Sequence, residues 1–259
     1  MDSLCPKIYG IFSREVEITV GTGTTKRKSL SKTYWFAREI PGNKVELKSL
    51  DADFVPRGAS ILLERGEVLD QYLPEPQSTF KHLSRPLMQG DCSREQGNHA
   101  GAAKEYEKVL VIDEENIRAN FGLGISYLAM ERPEKALYVF REILRLDEAF
   151  REEHKHLFNE FGISLRRKGL YAETLEFYFK AQEMTSMDEN LQFNIARAFF
   201  EMGDAEKAVG HLLKALDINS YFEEGHMFAK FLLNSGLLPE GDMRRGQLEF
   251  SLKVSGMES

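Results

Sequence analysis

The sequence predicts a mainly α chain, with a tandem stack of helical hairpins over the C-terminal two-thirds preceded by a small antiparallel β module. Three observations predict it: a 34-residue recurrence after residue 83, a two-residue alternation before residue 73, and a change in charge between the two parts. The recurrence appears when AAKEYEKVLVID (102–113) is laid on KALYVFREILRLD (135–147), which superimposes Ala102 on Ala136, Tyr106 on Phe140, Val109 on Ile143 and Asp113 on Asp147, each offset by 34. The same phase returns as Thr174, Tyr178 and Ala181, and again 34 residues later as Ala208, Leu212 and Ala215.

With the small residue at repeat position 20, positions 7, 8 and 11 become Leu123, Gly124 and Tyr127 in the second copy, Phe161, Gly162 and Leu165 in the third, and Ile195, Ala196 and Phe199 in the fourth. This pattern resembles the tetratricopeptide repeat family, which wants small residues at positions 8 and 20 because two helices cross there, with aromatic or aliphatic residues at 7, 11 and 24 around the crossing. The resemblance implies a tetratricopeptide-type α-α superhelix with copies at 83–116, 117–150, 155–188 and 189–222, and a closing helix over 223–235. Four copies and a closing helix exceed the roughly three units such an array needs, since one hairpin cannot bury its own apolar face.

There are departures from the family pattern. Position 32 holds Glu114, Glu148, Ser186 and Ser220 in place of the usual proline, and Pro86 falls inside the first helix of the first copy, where it predicts a short or bent helix. Residues 151–154 break the phase, and because four residues are about one helical turn, a lengthened helix is expected there.

The resemblance also implies a concave surface lined by positions 2, 5, 9 and 12 that holds another protein as a peptide segment or helix. Those positions give a partner-binding groove of Phe121, Ile125, Leu128, Asn159, Ile163, Arg166, Phe193, Arg197 and Phe231, joined by His156, Phe200 and Met227. The Lys and Asn clamp that one subset of the family uses on C-terminal carboxylates is missing: position 5 holds Leu87, Phe121, Asn159 and Phe193, and position 9 holds Asp91, Ile125, Ile163 and Arg197.

Before residue 73 the period changes to two. Val16, Ile18 and Val20 alternate with Glu15, Glu17 and Thr19, which predicts a half-buried strand, and further strands are expected over 32–40, 44–47, 61–63 and 68–73. Pro41, Gly42 and Asn43 form the clearest turn between them. The β module is thus expected over 1–73, with residues 74–82, which begin PEPQS, as a linker to a repeat domain spanning 83–259. A glycine-rich loop leads into Lys26, Arg27 and Lys28, a candidate anion or acidic-partner site, though the order of a phosphate loop is not met.

Charge restricts the partners. The net charge of −7 argues against a general nucleic-acid binder, and it is uneven: residues 1–82 hold 12 Lys+Arg against 11 Asp+Glu, and the remainder 22 against 30. No apolar run is long enough to span a bilayer, and the opening residues do not read as a secretory signal, so a cytoplasmic location is expected. Cys5 and Cys92 fit no ligand spacing, and none of the six histidines forms a metal pair, since His154 and His156 are spaced i, i+2 and face different ways on a helix. Gly124-Ile-Ser126 and Gly162-Ile-Ser164 lack the turn a serine nucleophile needs. No catalytic residue, metal or cofactor is therefore expected. The function expected is a scaffold, adaptor or assembly chaperone, with sensing of a phosphate-bearing small molecule or RNA through the basic loop as the competing expectation.

Overall fold

The computed structural model describes residues 7–20, 26–184 and 187–254. The chain divides into two compact units, Met1–Ser126 and Tyr127–Ser259. The first begins with β1 (Tyr9–Val20), β2 (Arg27–Ile40), β3 (Lys44–Leu50) and β4 (Pro56–Glu64), followed by helix α1 (Arg65–Gln71) and the two-residue strand β5 (Leu73–Pro74). The sheet is antiparallel in the order β4-β3-β2-β1-β5. Gly42 and Asn43, both at positive φ, close the β2-β3 hairpin, as the expected turn requires.

One face of the sheet is covered by α1. Val68 and Tyr72 pack on Phe12, Ala37, Val45 and Leu47, with Trp35 and Leu63 beside them. Each fully buried aliphatic side chain there contributes about 1.5–3 kcal/mol. Residues 68–73, expected as a strand, are thus mostly helical. Glu64 and Glu67 close a reciprocal capping box at the start of α1, and Val68 and Tyr72 share the i, i+4 spacing of one helix face. The expected strand at Val16, Ile18 and Val20 does form, but none of the three side chains is buried. β3 pairs only with residues 34–40 of β2, so residues 14–20 and 27–33 run on as a two-stranded ribbon with no third strand paired to it among the described residues.

Residues 74–82, read from the sequence as a linker, take up regular structure. Pro74 pairs with Phe12, the Glu75 N–H donates to the Ile11 carbonyl at 2.8 Å, and the Ile11 N–H donates to Thr79 Oγ1 at 2.8 Å. Gly10 is needed here, because it sits at φ +130° and a Cβ would lie 2.7 Å from Thr79. The chain then runs as helix α2 (Pro76–Thr79), one wide π-type turn (Phe80–Ser84) and helix α3 (Arg85–Glu95). Pro86 explains the wide turn, since it has no N–H and its ring opposes the carbonyl four residues back. The helix expected to be short or bent at that proline carries this wide turn just before it.

Helices α4 (His99–Ile112) and α5 (Ile117–Ala129) follow. Tyr106 of α4 is completely buried between two glycines, whose added Cβ atoms would lie 2.7 Å (Gly90, α3) and 2.3 Å (Gly122, α5) from its ring. Its hydroxyl donates to Asp91 Oδ1 at 2.7 Å. The other sheet face meets the α4-α5 turn through polar contacts. Tyr9 Oη donates to Asp113 Oδ2 at 2.8 Å, Arg38 pairs with Glu46, Asp113 and Glu115, and Lys48 pairs with Glu114.

The second unit comprises α6 (Pro133–Leu144), α7 (Lys155–Arg167), α8 (Tyr171–Met184), α9 (Glu189–Glu201), α10 (Ala205–Ile218), α11 (Glu223–Asn234) and α12 (Met243–Val254). Residues 151–154 do not lengthen a helix. Two 3₁₀ turns, Asp147–Phe150 and Glu152–His154, take up the extra chain, and Ala149 and Phe150 are completely buried. Burying that aromatic anchors a loop where another turn of helix would have carried it past the core. Phe150 packs 5.2 Å from Phe177, whose ring also contacts Phe140, Phe158, Phe161 and Tyr178. The closing helix expected at 223–235 is present as α11 but is not the last. Leu248 and Leu252 of α12 join a second core with Val209, Leu212, Leu216, Phe222, Ala229 and Leu232.

Candidate functional site

The second unit brings together polar and aromatic side chains from α7, α9 and α11, the first helices of successive hairpins. α7 and α9 pack side by side, and Asn194 Nδ2 donates to Asn159 Oδ1 between them at 3.4 Å. About two turns further along, Arg166 of α7 forms an ion pair with Glu201 of α9, and Arg197 lies 4.0 Å from the same carboxylate. Two guanidinium groups thus share one acid. Arg166 is 5% exposed, and its Nε has no hydrogen-bond partner among the described residues. The Arg197 side chain is 43% exposed and its guanidinium lies over the Phe193 ring, 5.8 Å from the centroid. Partial burial lowers the Arg197 pKa, and the Arg166 charge adds to the effect. An added anion would relieve both the burial cost and the repulsion.

Aromatic rings continue from this charged spot. Phe193 meets Phe228 edge-on at 5.8 Å, Phe228 meets Phe200 at 5.5 Å and stacks on Phe231, and Phe200 meets Phe231 at 5.5 Å. Phe231 and Met227 are 52% and 64% exposed, so α11 presents an apolar edge next to the arginines. Beneath the arginines, the Tyr178 hydroxyl is buried without a hydrogen-bond partner among the described residues, and burial raises its pKa.

The residues expected to line the groove separate by burial. Phe121, Ile125 and Leu128 are at most 7% exposed and serve packing, and Arg166 is buried in its ion pair. Asn159, Ile163, Phe193 and Arg197 are half-buried, and Phe231 is open. Sequence reading missed Glu201, although its i, i+4 spacing from Arg197 was a usable signal. It also treated Tyr178 only as core.

The basic N-terminal residues do not converge. Residues 21–25 of that loop lie outside the described residues. Arg27 and Lys28 are neighbours on β2 and so point to opposite faces of the ribbon, and Lys28 pairs with Glu17 at 3.1 Å. Lys32 pairs with Glu75, and Arg38 is surrounded by three carboxylates. Cys92 is an exposed free thiol, and Cys5 lies outside the described residues. Among the described residues no helix is long and apolar enough to cross a membrane.

Stacked helical hairpins crossing at small residues define an α-α repeat protein of the interaction-module class. Two tetratricopeptide repeat family models match, so residues 87–149 and 190–222 carry tetratricopeptide repeats, while no family model covers the N-terminal sheet. No curated protein sequence matches the chain. The crystal structure of MamA is similar at 19% identity and TM-score 0.50, covering 67% of this chain and 91% of that one. PilF of Pseudomonas aeruginosa is similar at 17% identity and TM-score 0.50, covering 68% of this chain and 76% of that one. At these identities the likeness is one of fold.

Proposed function

We propose that this protein is an adaptor or assembly chaperone whose α7-α9-α11 face holds an apolar segment of a partner protein, with an acidic group of that segment set against Arg197. The role as a protein-interaction scaffold rests on the repeats themselves. The observation that supports this particular face is the pairing of two arginines with a single carboxylate beside an exposed aromatic edge. Arginine and aromatic side chains are those whose truncation most often costs about 2 kcal/mol or more at interfaces.

Selection from a random 12-residue peptide library tests the reading. Peptides retained by the full chain should combine an acidic residue with large apolar ones. Arg197→Ala should remove the acidic preference, and Phe231→Ala the apolar one. Retained peptides that are basic or lack apolar residues would reject the proposal.

A further inference from the structure

The first unit contains a cavity that the repeats do not account for. It has a volume of about 480 Å³ and lies between the β3-β4 turn, the wide turn before α3, and the faces of α3 and α4. Small-molecule sites run from about 300 to 1,000 Å³, so the space suits a ligand the size of a mononucleotide.

The walls combine aromatic rings with uncompensated positive charge. Phe54 stacks on His82 with centroids 4.1 Å apart and planes 19° from parallel, and Tyr34 lies against Phe54 at 5.2 Å. Phe54 and His82 line the cavity and Tyr34 does not, so the aromatic column ends there. Burial, reinforced by the neighbouring Lys81 charge, lowers the His82 pKa, which keeps the ring neutral and suited to stacking at neutral pH. Lys81 and Arg85 also line the cavity, and neither has an ion-pair partner among the described residues. Lys108 is already matched with Glu105, which leaves Asp53 as the one unpaired carboxylate among the described lining residues.

The turn that carries Phe54 is held rigidly in an unfavourable backbone conformation. Phe54 sits at φ 61°, a region that costs a residue with a Cβ roughly 1–2 kcal/mol. Asp51 enforces it: Oδ1 accepts from the N–H groups of Asp53 and Val55, both at 3.0 Å, and Oδ2 accepts from Arg57 Nε at 2.8 Å. On the opposite wall, the wide turn separates Lys81 from Arg85 by little more than one turn of helix, and both face the same space.

We propose that this cavity binds a small planar phosphate ester, with its ring continuing the Phe54-His82 stack and its phosphate held by Lys81 and Arg85. Stacking alone is tolerant of ring type, and two flexible cations alone hold phosphate weakly, so binding requires both parts in one molecule.

Titration calorimetry of the full chain with the four common ribonucleoside monophosphates, each beside its free nucleoside and inorganic phosphate, tests this. At least one monophosphate should bind with a Kd below about 1 mM, and its nucleoside and phosphate alone should each bind at least about tenfold more weakly. Arg85→Gln, which alters an exposed side chain, and His82→Ala should each weaken binding about tenfold, and the former should leave thermal unfolding unchanged. Lys28→Ala should have no effect. The proposal is overturned if no monophosphate saturates below about 1 mM, if phosphate alone binds as well as the ester, or if Arg85→Gln binds as tightly as the parent.

Discussion

Tyr106 in the first unit and Tyr178 in the second hold the same place in two copies of the repeat, each packed against a glycine at position 8. An added Cβ would lie 2.7 Å from the Tyr106 ring at Gly90 and 2.4 Å from the Tyr178 ring at Gly162. Their hydroxyls differ. Tyr106 donates to Asp91 at 2.7 Å, whereas Tyr178 has no hydrogen-bond partner among the described residues, because the residue after its glycine is Ile163 where the first copy has Asp91. The shared part of the device is the close approach of ring and backbone, and it sets the fold. The part that varies is the polar atom left over, and in the third copy it lies under the arginine pair that the proposed partner would meet.

Breaking the shared part should have the largest effect. Gly162→Leu forces a side chain into the Tyr178 ring and should cost about 3 kcal/mol, at the upper end for overpacking, and Gly90→Leu should behave alike. Chemical denaturation measures both. Unchanged midpoints would mean that these glycines are not where the helices cross.

The second unit should also be the more acid-sensitive one. Burial lowers the pKa of His211 to about 4, below its ordinary 6.5, and lowers that of His226, which is 1% exposed with neither ring nitrogen hydrogen-bonded. The unfolded chain therefore binds these protons more readily than the folded chain, so stability falls as pH drops below about 6.5 and levels off near 4. His211 is partly exposed, so about 1–2 kcal/mol should be lost over this window. His211→Gln should flatten part of the slope, as followed by thermal unfolding between pH 7.5 and pH 4.5, and an equal slope in the variant would remove His211 from the account.

The smallest expected effect is the sharpest in sign. Tyr106→Phe deletes a satisfied hydrogen bond and should cost about 1 kcal/mol, while Tyr178→Phe deletes an unsatisfied buried hydroxyl and should be neutral or stabilising. Equal losses in the two variants would erase the distinction between the copies.

The repeats were legible because a 34-residue period constrains both helices of each copy at once, and it aligned Ala102 with Ala136 and Thr174 with Ala208 without any knowledge of contacts. Elements outside the period were harder to read. In α12 only Leu248 and Leu252 are buried while Phe250 is exposed, which is too short a stripe to stand out. The loop at 147–154 is stabilised by the burial of Phe150, a long-range effect with no local signature. The candidate site was legible by position but not by burial. Ile125 and Arg197 hold the same family position, yet the first is enclosed at 7% exposure and the second keeps 43% of its side chain exposed, and only neighbouring helices decide which.

The central claim is that partner binding resides on the α7-α9-α11 face, and titrating a library-selected acidic, apolar peptide against three proteins at two salt concentrations tests it most directly. Arg197→Ala should weaken binding at least about tenfold, corresponding to 1.4 kcal/mol, while the triple change of Lys26, Arg27 and Lys28 to Ala should leave affinity intact and the parent should show only shallow salt dependence. Loss of binding in the triple variant alone, with affinity in the parent falling steeply with salt, would contradict the account and place recognition on the N-terminal ribbon.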